Sequence, residues 1–131
     1  HCAGYRAAAV SLEALTVGID AEPHEPLPEG VLDAVSLEGE RKELELLGGG
    51  VHWDRLLFSA KESVYKAWYP LARRWLGFEE AHVTFDPSGA FTARILVEGP
   101  VVEGRPLAGF DGRWLVSGGL LMTAIARPRT A

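Results

Sequence analysis

The stretch "HWDRLLFSAKESVYKAWYPLARRWL", residues 52–76, is the longest helical pattern in the chain. Apolar residues recur in it at alternating spacings of three and four, which places their side chains on one face of an α-helix. This stripe consists of Leu57, Ala60, Val64, Ala67 and Leu71. We expect the stripe to be buried, Gly77 to end the helix, and Pro70 to kink or split it.

The segments on both sides of this helix have the patterns of strands and shorter helices. Before it, residues 5–13 and 14–22 predict two strands joined by a short turn, and residues 31–37 and 38–47 predict two helices. After it, residues 81–86 and 90–99, then 112–118 and 120–128, predict two hairpins. This order predicts an α+β fold in which an antiparallel sheet packs on the long helix.

Composition narrows the class of protein. The 131 residues fit one domain, and 47% of them are apolar, which is enough for a core. A net charge of −5 argues against a nucleic-acid surface, and no apolar run reaches the roughly 18–20 residues of a membrane span. The single Cys2 favours a cytoplasmic location, since it allows no internal disulfide. Because the chain opens on His1 rather than Met, we expect a piece of a longer protein.

Two acids stand where the second predicted strand ends. Asp20 and Glu22 precede Pro23, and residues two apart in a strand point to the same face. Carboxylates this close repel each other unless a cation lies between them, and Mg²⁺ prefers carboxylate oxygens. The alternative is a solvated strand end beside a turn.

A third acid lies between two lysines on the long helix. Glu62 and Lys66 are four residues apart and share one side of the helix, away from the buried stripe. Lys61 lies at the edge of that side. An ordinary surface ion pair worth a few tenths of a kcal/mol is the alternative. Together with the strand acids, Glu62 predicts a three-carboxylate Mg²⁺ site, with Lys61 and Lys66 holding phosphates that the metal bridges.

Both motifs resemble those of a known family. "VGIDAEP" (17–23) followed by "FSAKESVYKAW" (58–68) is similar to the paired signatures G-[IV]-D-x-E and W/F-[ST]-x-K-E-[SA]-x-x-K of the 4'-phosphopantetheinyl transferases. Each signature is weakly specific alone, but the ordered pair is specific. "HCAGYRAAAV" (1–10) resembles the end of the family's upstream motif, and residues 52–85 most resemble actinobacterial members of the larger type that serves polyketide, peptide and siderophore synthases.

The resemblance implies a substrate, a cofactor and a partner. In this family coenzyme A binds with its pyrophosphate on Mg²⁺, for which Mn²⁺ is a possible substitute. The serine of an apo acyl or peptidyl carrier protein takes the 4'-phosphopantetheine arm, and 3',5'-ADP leaves. From net charge and hydropathy we expect no nucleic-acid or membrane partner.

The resemblance also assigns residue roles. Asp20, Glu22 and Glu62 match the metal positions, and Glu62 and Lys66 match catalytic positions, with Glu62 as the usual base, directly or through water. The matches to coenzyme A-binding positions are His1 at the 3'-phosphate and Lys61 and Lys66 near the phosphates. Tyr65 and Trp75 are expected to line the pantetheine channel, as is Trp68 with less weight. For these rings the alternative is a place in the core.

Four further expectations stay open. The larger family members are monomers with two similar α+β halves. Residues 1–131 resemble the second half, so we expect the first half, and with it part of the coenzyme A site, to be missing from this sequence. Glu40 or Glu43 is another possible base, and Arg73 and Arg74 could meet an acidic carrier protein or cap the helix. Competing functions are a non-catalytic fragment that binds carrier protein or coenzyme A weakly, and an unrelated Mg²⁺-dependent phosphoesterase.

Overall fold

The computed structural model describes residues 1–130, which form seven strands and three α-helices. The strands are β1 (Ala14–Pro23), β2 (Ala81–Asp86), β3 (Ala90–Ile95), β4 (Val101–Val102), β5 (Arg105–Pro106), β6 (Gly109–Ser117) and β7 (Leu120–Pro128). The helices are α1 (Val31–Val35), α2 (Glu38–Glu45) and α3 (Trp53–Ala72), and a 3₁₀ turn covers Phe78–Glu80.

Five of the strands form one sheet in the order β1-β7-β6-β3-β2, and every neighbouring pair is antiparallel. The long helix α3 contacts β1, β7 and β2 on one face of this sheet. The predicted fold class, α+β with an antiparallel sheet packed on a long helix, is therefore confirmed.

Helix α3 buries the predicted stripe. Leu57, Ala60, Val64 and Ala67 are fully buried in the core, and only Leu71 is partly exposed. The helix continues through Pro70, but it ends at Ala72 rather than at Gly77. It ends there because Arg73 adopts a left-handed conformation, with φ of 56°, and its N–H bonds back to the carbonyl of Tyr69. Within residues 1–130, no helix is long and apolar enough to cross a membrane.

The two predicted hairpins are present. Between β6 and β7, Gly118 and Gly119 both have positive φ, 60° and 78°, which suits the tight two-residue turn that antiparallel strands favour. The short hairpin β4–β5 was missed, because two-residue strands are too short for an alternation pattern to reveal.

The first predicted strand, residues 5–13, is wrong. The described residues contain only an isolated bridge between Cys2 and Tyr5 there, and the chain then runs without a partner to β1. Val10 and Leu12 are 90% and 93% exposed, so apolar alternation did not lead to burial. Apolar pattern alone does not make a strand when no neighbouring strand accepts its hydrogen bonds.

Gly18 sets the distance between β1 and α3. A Cβ at this position would lie 2.2 Å from the carbonyl oxygen of Ser63 and 2.9 Å from the nitrogen of Ala67, both helix backbone atoms. Nearby, the hydroxyl of Thr16 donates to the carbonyl of Ala67 at 2.8 Å. Only glycine permits this approach, which brings the end of β1 against the middle of α3.

Gly18→Ala is therefore expected to lower the free energy of unfolding by about 2–3 kcal/mol, because backbone on both sides must shift to admit the methyl group. Urea unfolding of the variant measures the loss. Gly48→Ala is the control, since a methyl group there would have no neighbouring atom within 4 Å. Equal stability of the two variants would contradict the close-approach argument.

Candidate active site

The acids predicted from the strand end lie on the helix side of the sheet. Thr16 and Gly18 touch α3, so Asp20 and Glu22, which follow at even spacing in β1, lie on the same face. From α3, the Lys66 ammonium donates to Asp20 Oδ1 at 3.2 Å and to the carbonyl of Ile19 at 2.9 Å. The structure thus joins the two sequence motifs at one place.

Arg55 also reaches this place, although it lies outside both sequence motifs. Its guanidinium Nη1 donates to Glu22 Oε1 at 3.2 Å. A signal was available, because Arg55 lies seven residues, or about two helical turns, before Glu62 and so occupies the same side of α3. A positive charge two turns before a candidate ligand would have pointed to it.

Burial and the nearby charge of Asp20 raise the proton affinity of the two glutamates. Burial raises the pKa of Glu22 to about 7, helped by the charge of Asp20 and a hydrogen bond to it, and opposed by Arg55. Burial also raises the pKa of Glu62, and the charge of Asp20 adds a smaller increase. The charge of Lys66 opposes both effects.

The donor chemistry suits a hard divalent cation. Among the described residues, Asp20 Oδ2 is a buried oxygen without a hydrogen-bond partner, in a side chain that is only 9% exposed. A buried unpaired carboxylate oxygen beside two further acids is what a bound cation would satisfy. As they stand, no three His, Cys, Asp or Glu side chains within residues 1–130 are grouped closely enough to hold a metal. The oxygen donors of the three acids therefore suit Mg²⁺, but the three side chains would have to move closer together to coordinate it.

The raised pKa of Glu22 predicts how stability depends on pH without metal. The folded state binds more protons than the unfolded state between pH 4.5 and about 7, so this contribution to stability is present below pH 4.5 and lost as pH rises through 7. In EDTA, Glu22→Gln should remove that loss and gain about 1–2 kcal/mol over wild type at pH 8, a figure reduced for partial solvent access. Thermal unfolding at pH 5 and 8 measures it, and a wild-type pH dependence in the variant would contradict it.

Two cavities divide the predicted site residues. A cleft of about 690 Å³ is lined by His1, Asp20 and Lys66 among others, so the upstream motif and both main motifs meet there. A smaller cavity of about 140 Å³ is lined by Glu62, Tyr65 and Trp75, and the two rings lie 5.0 Å apart between centroids. Glu62 in the second cavity and Lys66 in the first lie one turn apart on α3.

The contacts of Lys61 do not favour its predicted phosphate role. Its ammonium lies 2.9 Å from Glu40 Oε1 and also donates to the carbonyls of Phe78 and Ala81, which uses all three of its hydrogens. The side chain is only 2% exposed. Burial lowers the pKa of Lys61, and the charge of Glu40 opposes this. Lys61 therefore forms part of the wall of the smaller cavity, and its ammonium is held by Glu40 on α2 and by the carbonyl of Ala81 on β2.

The other candidates have mostly structural contacts. Glu40 is fully buried, which does not favour it as a base, and Glu43 lies 3.0 Å from His82 Nε2. Trp68 is fully buried and donates to the carbonyl of Arg74, so it belongs to the core rather than to a channel. The guanidinium of Arg74 lies over the Trp68 ring, at 5.1 Å from its centroid.

Comparisons with known proteins agree with both motifs. The family described as the 4'-phosphopantetheinyl transferase superfamily matches residues 16–107, which include Asp20, Glu22, Glu62 and Lys66. Three curated 4'-phosphopantetheinyl transferases are similar to 95–96% of the chain. They are PptT of Mycobacterium tuberculosis (53% identical), Npt of Nocardia iowensis (54%) and Svp of Streptomyces mobaraensis (59%).

The aligned region does not reach the relatives' full length. It spans 59% of PptT, 62% of Npt and 54% of Svp. Because the family match covers more than half of this chain and includes both elements of the site, the chain belongs to the 4'-phosphopantetheinyl transferase superfamily.

Proposed function

We propose that the protein transfers the 4'-phosphopantetheine group from coenzyme A to a serine of an apo acyl or peptidyl carrier protein and releases 3',5'-ADP. The observation that carries this proposal is the contact of Lys66 on α3 with Asp20 on β1, beside Glu22 and one turn from Glu62. The named activity of the three relatives supports it.

The three acids would hold the metal. Asp20, Glu22 and Glu62 offer oxygen ligands only, which suits Mg²⁺ or Mn²⁺ rather than a soft metal. When bound, the ion would neutralise negative charge on the coenzyme A pyrophosphate.

The remaining chemistry belongs to side chains that border the two cavities. The serine oxygen forms a bond to the β-phosphorus of coenzyme A while the bond from that phosphorus to the 3',5'-ADP oxygen breaks. Glu62 accepts the serine proton, directly or through water, and burial and the charge of Asp20 raise its pKa when no ion is bound. Toward the described part of the chain Lys66 uses two of its donors, so its third hydrogen could meet a phosphate oxygen.

The substrate's two ends would then occupy different cavities. His1 lines the larger cleft with Lys66, which suits the phosphate-rich end of coenzyme A. Tyr65 and Trp75 line the smaller cavity with Glu62, which suits the uncharged pantetheine arm. The pantetheine arm would then lie next to Glu62, which is where the carrier-protein serine would have to bind.

The intact mass of an apo carrier protein tests the proposal. Incubated with the full-length protein, coenzyme A and Mg²⁺, it should gain the mass of one phosphopantetheine group, and EDTA or a Ser→Ala carrier protein should prevent the gain. No gain would overturn the proposal and favour a non-catalytic binding role. Release of phosphate from simple esters without coenzyme A would favour a phosphoesterase instead.

A further inference from the structure

The first turn of α3 holds the proline-rich loop that follows β1. Arg55 donates through Nε to the carbonyl of Glu25 at 3.3 Å and through Nη2 to the carbonyl of Pro26 at 3.0 Å. Beside it, Asp54 Oδ2 accepts the N–H of Leu27 at 2.9 Å. Three side-chain hydrogen bonds therefore fix the loop against the helix.

The remaining arm of the same guanidinium goes to Glu22. Nη1 of Arg55 lies 3.2 Å from Glu22 Oε1, and the two side chains are only 17% and 16% exposed. Because water is largely excluded, this pair differs from an exposed ion pair of negligible worth. The loop carbonyls fix the plane of the guanidinium, so Glu22 meets a rigid partner rather than a mobile one.

We propose that Arg55 is a positioning residue that fixes Glu22 through one oxygen and thereby keeps its other oxygen available beside Asp20. This inference rests on the proposed function, in which Glu22 is a metal ligand. Glu22 and Asp20 repel each other when both are ionised, and Lys66 pairs with Asp20 rather than with Glu22. Arg55 is thus the ion-pair partner that holds Glu22 in place at the strand end.

The chain supplies a matched control. Asp54 also ties the loop to α3, through Leu27, but its contacts with described residues do not include Glu22. Asp54→Ala therefore loosens the loop alone, whereas Arg55→Met loosens the loop and releases Glu22 as well. A merely structural role of Arg55 would make the two variants behave alike.

Mn²⁺ binding to the full-length protein is the direct readout, measured by electron paramagnetic resonance with and without coenzyme A. Removing a partner that orients a metal ligand typically weakens metal binding about 10–100-fold, and we expect a loss of about 10-fold or more for Arg55→Met. Asp54→Ala should stay within about twofold of wild type, with thermal unfolding recorded for both variants. Unchanged or tighter Mn²⁺ binding in Arg55→Met would overturn the proposal.

A second variant pair tests whether Arg55 acts through Glu22. In a Glu22→Ala background, adding Arg55→Met should weaken Mn²⁺ binding no further, because position 22 then offers no oxygen for Arg55 to hold. An equal loss in both backgrounds would show that Arg55 acts by another route and would overturn the proposal. If wild type binds no Mn²⁺ under either condition, the metal site of the proposed function fails, and with it this inference. Normal wild-type binding with an unaffected Arg55→Met overturns this inference alone.

Discussion

Glu62→Gln is expected to lower the rate of phosphopantetheine transfer by about 10³-fold or more while the fold is retained. The amide has nearly the same shape as the carboxylate, but it cannot accept the serine proton and is a weaker ligand for Mg²⁺. Asp20→Asn should have a comparable effect, because it removes the charge next to both glutamates. Initial rates of carrier-protein modification, followed by intact mass, measure both losses.

Glu43→Gln is the control for these variants. Glu43 is also an acid on a helix, but it faces His82 and Thr84 on β2 rather than the two cavities. Its transfer rate should stay close to that of wild type. Wild-type rates in Glu62→Gln with an unchanged melting temperature would reject both the metal-ligand and the proton-acceptor role of Glu62.

Local patterns were sufficient to predict the elements that form the site. The three-four spacing identified α3, and the even spacing of Asp20 and Glu22 placed both acids on one face of β1. Gly18 turned out to be essential to their meeting with α3, because a side chain there would collide with helix backbone. That requirement depends on the packed distance between two elements, so periodicity could not reveal it.

Long charged side chains were harder to place. Lys61 and Lys66 both flank Glu62 in sequence, and only Lys66 reaches the strand acids. Lys61 reaches Glu40, whose helix α2 packs against β2. A lysine can reach several ångströms in different directions, so which acid it meets is decided by tertiary packing rather than by its helical position.

Lys61→Met is expected to lower the free energy of unfolding by about 3–5 kcal/mol, because it leaves a buried carboxylate without its cation. Glu40 is fully buried, and within residues 1–130 its oxygens otherwise accept only the N–H groups of Leu37 and Val83. Methionine matches the length of the lysine stem, so the loss measures the ion pair rather than a cavity. Urea unfolding gives the change. Lys66→Met, at a side chain that is 47% exposed, should cost less than about 1 kcal/mol.

The double variant Glu40→Gln/Lys61→Met separates a structural lysine from a phosphate-binding one. Glutamine has a carbonyl oxygen that can accept from one of the two backbone N–H groups and carries no charge, so the double variant should be more stable than Lys61→Met alone. If Lys61 instead held a coenzyme A phosphate, Lys61→Met would leave the melting temperature nearly unchanged and raise the KM for coenzyme A. It would do so equally with Glu or Gln at position 40. A structural Lys61 therefore predicts a less stable single variant and an unchanged KM for coenzyme A in the double variant. A phosphate-binding Lys61 predicts an unchanged stability of the single variant and a raised KM in the double variant.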